Sequence, residues 1–167
     1  LHGEEAIQQI GREYFIFRTS WLYSTRKDCF LTKVLRWARE NEYVKVVCDQ
    51  IGSPTWARTL AEATAGAVDI ILNQSKQWRE EKTGIYHTAG IGAASRYEWA
   101  QRILSWDPNP EEQIVTELVK AQSSDFQSPA LRPENTALDC TKFQKTFHGF
   151  YISWEKALKQ ALSGSDG

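Results

Sequence analysis

Methionine is absent from all 167 residues, and histidine (three), cysteine (three) and proline (five) are scarce. A complete translation product starts with methionine, so residues are expected upstream of Leu1. Leu1-His2-Gly3-Glu4-Glu5-Ala6-Ile7 also reads as the middle of a helix. Cys29, Cys48 and Cys140 are odd in number and far apart, with no C-x-x-C pair and no nearby histidine pattern. They read as reduced core or surface thiols, and no metal site is expected. No apolar run approaches the roughly 18 residues of a membrane span, and the start lacks a basic plus apolar signal pattern. A cytoplasmic protein with no membrane partner is therefore expected. Basic excess is missing too: 20 Lys+Arg against 21 Asp+Glu give a net charge of -1. Nucleic acid, which selects a basic surface, is not an expected partner.

What is present describes a globular chain. Hydrophobic residues make up 41%, charged residues 25% and aromatics 12%, enough for one domain with a sizeable core or most of a larger one. Tyr14-Phe15-Ile16-Phe17 suits a strand buried on both faces. Asp28 is placed to cap a helix carrying Leu31, Val34, Leu35 and Ala38 at helical spacing. Tyr43 to Val47 alternates like a strand, and Thr55 is placed to cap a helix with Ala57, Leu60, Ala61, Thr64, Ala67, Val68, Ile71 and Leu72 on one stripe. A third strand, Gly84-Ile85-Tyr86-His87, precedes a capping box, Ser95-Arg96-Tyr97-Glu98, that opens a helix with Trp99, Ala100, Ile103 and Leu104 inward. This order, α-β-α-β-α-β-α, predicts an α/β fold with a Rossmann-like parallel sheet over residues 1–106. Beyond Trp106 the prolines multiply and one strand-like run remains, residues 114–119. Residues 107–167 are expected to form a small irregular substrate-binding lobe with a last helix capped by Ser153.

Three stretches carry the candidate chemistry. Asp49-Gln50-Ile51-Gly52-Ser53-Pro54-Thr55 lies at the carboxyl edge of the sheet, where open α/β folds bind ligands and helix starts offer free N–H groups. The same residues also suit an ordinary strand-to-helix loop. Arg18-Thr19-Ser20-Trp21-Leu22-Tyr23 leaves the first strand at that edge. There Arg18 either holds a phosphate or carboxylate or pairs with an acid, and Trp21 either stacks on a ligand ring or packs in the core. In Leu131-Arg132-Pro133-Glu134-Asn135-Thr136-Ala137-Leu138-Asp139 the proline fixes the backbone behind Arg132, which either aims its fork at a diphosphate or lies on the surface. His87 reads as a hydrogen-bonded structural histidine. Gly90 and Gly92 lack the third glycine of a dinucleotide loop.

In this order, Leu1-His2-Gly3-Glu4, the three stretches above and Tyr86-His87-Thr88-Ala89-Gly90 resemble the dTDP-4-dehydrorhamnose reductases. These are a family of extended short-chain dehydrogenase/reductases, and the resemblance runs from Leu1 to about Leu162. It implies an oxidoreductase in which NADPH reduces the C4 ketone of dTDP-4-dehydro-L-rhamnose, giving dTDP-L-rhamnose for cell-surface polysaccharide. In the family a Tyr-x-x-x-Lys pair comes immediately before the segment that Leu1 to Glu4 resembles. The glycine-rich NADPH loop, the tyrosine and the lysine are therefore expected upstream of Leu1. The chain is then expected to be a C-terminal part, inactive alone, with no catalytic residue of its own.

The resemblance further implies that Trp21, Gln50, Gly52, Ser53, Pro54, Thr55, Arg132 and Asn135 bind the nucleotide sugar. Thr19, Ser20 and Tyr23 would shape the wall on the cofactor side. Lys27-Asp28-Cys29-Phe30 departs from the Gly-x-Asn-Phe of some members. Two other functions fit the same likeness: a non-catalytic relative such as the regulatory β subunit of methionine adenosyltransferase, and a reductase or epimerase for another nucleotide sugar. Loss of upstream strands would uncover a sheet edge, so self-association as a homodimer is an expected hazard.

Overall fold

The structure, a computed structural model, describes residues 2–126, 132–149 and 152–164. In chain order the elements are α1 (His2–Ile10), β1 (Phe15–Arg18), β2 (Leu22–Tyr23), α2 (Phe30–Glu40), β3 (Tyr43–Val47), β4 (Ile51–Gly52), β5 (Thr55–Trp56), α3 (Ala57–Leu72), α4 (Lys76–Lys82) and β6 (Gly84–His87). They continue with β7 (Ala94–Ser95), α5 (Arg96–Ser105), β8 (Glu117–Ala121), β9 (Asn135–Thr136), α6 (Thr141–Phe147) and α7 (Trp154–Leu162). The expected α/β alternation is present and its main pairings are parallel. β1 runs beside β6 from Phe15 opposite Gly84 to Arg18 opposite His87, and β3 runs beside β8 from Tyr43 opposite Glu117 to Val47 opposite Ala121. β2 pairs with β5 in parallel, while β4 lies between antiparallel β7 and parallel β9. Among the described residues no helix is long and apolar enough to cross a membrane.

The strand β3 follows its alternation: Val44 and Val46 are buried while Tyr43 and Lys45 face out. β1 is half-buried along its length, not buried on both faces, because it hydrogen-bonds to β6 on one side alone among the described residues. Helix starts also differ from expectation in two places. Cys29, not Asp28, is the cap of α2: its N–H donates to the Thr32 hydroxyl at 2.9 Å. Asp28 lies outside the helix, 3.6 Å from Lys33. Thr55 sits in β5 and Trp56 takes the cap position of α3. The capping box of α5 forms as written, with the Glu98 N–H donating to Ser95 Oγ at 3.1 Å and the Ser95 N–H to the Glu98 carboxylate at 2.7 Å. Ser153 caps α7, accepting from the Lys156 N–H.

Apolar burial divides between two cores. The larger gathers Leu31 and Val34 of α2, Val44 and Val46 of β3, Trp99 and Ile103 of α5, and Leu158 and Leu162 of α7. The smaller is aromatic: Phe15, Phe17, Tyr86, Phe143 and Phe147 pack together with Ala67 of α3, Phe15 edge-on to Phe147 and Phe17 edge-on to Phe143. α3 is rotated relative to the stripe expected for it, turning Ala63, Ala67, Ile70 and Ile71 to this core and leaving Val68 and Leu72 exposed. α1 buries none of its residues and is tied to β1 by a two-pronged ion pair between Glu4 and Arg18.

Beyond residue 106 the chain is stitched to what precedes it. β8 begins three residues later than the run at 114–119 suggests, because the Ile114 and Val115 N–H groups are held by the Ala38 carbonyl. Asp107, its side chain fully enclosed, accepts from Arg39 at 3.0 Å, from the Gln113 side chain at 2.9 Å and from the Asn109 N–H at 3.1 Å. Within the preceding part, a close contact lies under the turn that starts at Asp49. Gly90 passes so close to the Pro54 carbonyl oxygen that a Cβ there would collide with it.

Burial raises the Asp107 pKa, but the Asn109 N–H, Gln113 and Arg39 outweigh it and hold the carboxyl below the usual aspartate range. Its contribution is therefore present above about pH 3.9 and is lost as pH falls through the lower folded value. Asp107→Ala is expected to cost about 2 kcal/mol in urea unfolding at neutral pH. The gap from wild type should close as unfolding is repeated at increasingly acid pH. Gly90→Ala is expected to cost about 1–3 kcal/mol in the same assay, the penalty of inserting volume where backbone blocks it.

Candidate functional site

The backbone at Trp21 sets the site. Trp21 has φ of 39°, in the left-handed region where a bulky residue is strained and functional sites are over-represented. The strained conformation is held from outside, with the Thr55 N–H donating to the Trp21 carbonyl at 3.2 Å. It lays the indole against Gly52 of β4 so closely that any Cβ at position 52 would enter the ring. Trp99 stacks near the indole at 5.6 Å between ring centres, and Phe30 stacks on Trp99 at 4.8 Å. Onto this platform comes Arg96, the first residue of α5, with its guanidinium carbon 3.7 Å from the Trp21 ring centre and 4.7 Å from that of Phe30.

Beside the platform opens a cavity of about 990 Å³, with Phe30, Gln50, Arg96, Ser123, Arg132 and Glu134 in its wall. That is the upper end of the size range of small-molecule sites. Its floor and one rim are joined by a short network. Asp49 accepts from the Ser123 N–H at 2.8 Å and from the Ser123 hydroxyl at 2.9 Å, and the Gln50 side chain donates to the same hydroxyl at 2.9 Å. The Ser123 N–H, ahead of the opposing effect of burial, holds the Asp49 carboxyl below its ordinary pKa. Burial, then the nearby charge of Arg132, pushes the Arg96 pKa down to about 10.

Of the residues expected to bind substrate, the fold brings Gln50 and Arg132 into this one wall, with Trp21 behind Arg96 and Gly52 behind Trp21. Ser53, Pro54 and Thr55 point inward. Ser53 Oγ accepts from the Leu138 N–H at 3.3 Å, and the Thr55 hydroxyl accepts from the Gly90 N–H at 3.1 Å while donating to the Ser53 carbonyl. These three brace the turn. Asn135 is exposed, and its side chain accepts from the Ala137 N–H at 3.0 Å. Of the three residues assigned to the cofactor side, Thr19 is exposed and Ser20 donates to the Thr136 carbonyl at 3.3 Å. Tyr23 is enclosed in the larger core with its hydroxyl unpartnered. Leu131 lies outside the described residues.

Arg96 is the cavity-lining side chain that sequence reasoning passed over, because it sits inside a capping box and an arginine opening a helix reads as surface. A Tyr-x-x-x-Lys spacing also occurs, at Tyr23 and Lys27. Burial pushes the Tyr23 phenol far up, Lys27 is exposed on the following loop, and the two share no helix face, so they make no proton-donating pair. Among the described residues no group of three or more His, Cys, Asp or Glu is placed to hold a metal ion.

Comparison with known proteins identifies the family. The family model described as RmlD substrate binding domain matches residues 1–166. The dTDP-4-dehydrorhamnose reductase of Salmonella typhimurium is 35% identical over 166 residues, covering 98% of this chain and 53% of the relative. That of Escherichia coli K12 is 32% identical over 164 residues, with the same shares covered. The chain thus spans about half the length of the curated relatives it matches. The crystal structure of the Bacillus anthracis reductase in complex with NADP superposes with a TM-score of 0.76 at 26% identity, covering 98% of this chain and 52% of that one. A reductase from Clostridium acetobutylicum reaches 0.81 at 25% identity, covering 96% and 52%. Likeness to a UDP-galactose 4-epimerase, at 14% identity, shows the shared Rossmann-like fold alone. With a family model spanning nearly every residue and reductases among its relatives, the chain belongs to the RmlD substrate binding domain family.

Proposed function

We propose that these residues form the substrate side of an NADPH-dependent reductase that converts dTDP-4-dehydro-L-rhamnose to dTDP-L-rhamnose. The observation that carries this reading is the cavity in which Gln50 and Arg132 meet above a fixed aromatic platform, in a chain of this family. Arg132 presents a planar fork suited to two phosphate oxygens, and Pro133 stiffens the backbone behind it. The Gln50 amide, already oriented by Ser123, hydrogen-bonds sugar hydroxyls. The Trp21, Phe30 and Trp99 rings offer an apolar back wall that excludes water from the hexose.

NADPH supplies the hydride in such a reduction, and the residues here fit the nucleotide sugar better than the cofactor. The Gly90 N–H is taken by Thr55 and the Gly90 backbone abuts Pro54, while Gly92 lies against Trp154. These two glycines leave no cradle for a cofactor diphosphate. Among the described residues the side chains lining the cavity likewise include no tyrosine, and Tyr23 is enclosed in the larger core. On this reading the 167 residues bind and orient substrate, and reduction needs groups that they do not supply.

Two measurements test the proposal. Calorimetric titration with dTDP should show Arg132→Ala weakening binding about tenfold, some 1.4 kcal/mol, with thymidine binding unchanged. Equal loss for both ligands would remove Arg132 from the phosphates. Mixing the 167-residue chain with NADPH and dTDP-4-dehydro-L-rhamnose should leave NADPH absorbance constant over hours, and steady turnover would contradict the division of labour described above.

A further inference from the structure

Arg96 has an unusual set of neighbours. Its backbone N–H is tied to the Gln50 carbonyl at 3.1 Å, which fixes the start of α5 to the turn beneath the cavity. Its guanidinium stacks on Trp21 and Phe30 and lies 5.5 Å from the Trp99 ring centre. Stacking uses the faces of a guanidinium and leaves its five N–H donors, which lie in the plane, without partners. Among the described residues Arg96 makes no ion pair and no side-chain hydrogen bond. The acids of the same wall do not answer it: Asp49 is occupied by Ser123, and Glu134 forms no salt bridge with either arginine. At the start of α5 the Arg96 N–H is held by the Gln50 carbonyl and the Glu98 N–H by Ser95 Oγ.

Two arginines therefore face one cavity, and Arg96 bears two costs, desolvation against the aromatic rings and the nearby charge of Arg132. An anion placed between them removes both costs, since it supplies acceptors to the free donors of Arg96 and screens the two cations from one another. We propose that Arg96 is a second phosphate-holding arm of the site, so that Arg96 and Arg132 together grip the diphosphate of a nucleoside diphosphate against the Trp21 wall. This assignment rests on the nucleotide-sugar reading above and extends it to a residue and a charge requirement. Arg96 becomes a specificity-determining residue that favours a diphosphate over a neutral ligand. The stacked, planar guanidinium is integral to it, so lysine, a point charge on a flexible stem, cannot replace arginine.

The test is calorimetric titration of wild type, Arg96→Gln, Arg96→Lys and Arg132→Ala with dTDP, inorganic pyrophosphate and thymidine, each variant being checked by thermal melting. Arg96→Gln should weaken dTDP and pyrophosphate about tenfold and leave thymidine unchanged. Arg96→Lys should weaken both anions several-fold and lower the salt dependence little, since the charge remains. Wild-type affinity for dTDP in Arg96→Gln, alongside weakened binding in Arg132→Ala, overturns the role of Arg96 and leaves the nucleotide-sugar reading intact. Arg96-dependent binding of pyrophosphate with no added affinity from the thymidine moiety upholds Arg96 and overturns that reading. If Arg96→Gln does not fold, Arg96→Lys decides: unchanged affinity for both anions rejects the assignment.

Discussion

The turn from Gln50 to Thr55 is held between two surfaces that leave it no room, the indole of Trp21 on one side and the backbone at Gly90 on the other. Hydrogen bonds lock what sterics confine: Thr55 donates its N–H to the Trp21 carbonyl and receives the Gly90 N–H on its hydroxyl. From the Trp21 side the constraint passes through the aromatic platform to Arg96 and the cavity. From the Gly90 side it passes to α7, because Trp154 lies directly beyond Gly90 and Gly92. Displacing this turn would disturb the left-handed backbone at Trp21, the base of the binding wall and the packing of the last helix together.

Charge is distributed to suit a cavity for anions. Of the two carboxylates in the cavity wall, Asp49 is held by Ser123, while Glu134 makes no salt bridge with Arg96 or Arg132. Arg18, which also leaves the sheet edge, is neutralised by Glu4. The cavity wall carries Lys33, Lys45, Arg96 and Arg132 against Asp49 and Glu134, an excess of cations, and a bound anion gains more beside a partly dehydrated cation such as Arg96 than it would on an open surface. A chain with nearly balanced net charge thus builds a local excess of positive charge.

Elements whose pattern is local were legible in the sequence. β3 follows the alternation of Tyr43 to Val47, and the Ser95 to Glu98 box caps α5 as its spacing requires. The mistaken caps at Asp28 and Thr55 have one cause. A cap depends on the direction in which the chain enters the helix, which the neighbouring strands decide, and both residues were drawn into other partnerships. The stripe on α3 turned because Phe143 and Phe147, far away in sequence, set which face is covered. In the site, Gln50 and Arg132 could be picked out only through the resemblance carried by the motifs together, since each stretch alone also suits an ordinary loop or a surface turn. Arg96 could not, since its meaning comes from Trp21, Phe30 and Arg132, which only folding brings beside it. Ser53 and Thr55 show the converse: polar residues in a ligand-facing motif whose hydroxyls serve the backbone.

Glycine at positions 52 and 90 makes the base of the cavity intolerant of added side chains, whereas the opposite rim is built from residues 122–126 and 132–135, most of them exposed. Divergence is thereby channelled: on the proposed nucleotide-sugar reading, a new preference in sugar or base is reached by altering the rim, at little cost to folding, while the platform stays as it is. An engineer seeking to retarget the pocket inherits the same asymmetry and would vary Gln122, Ser124, Phe126 and Glu134 before touching the turn.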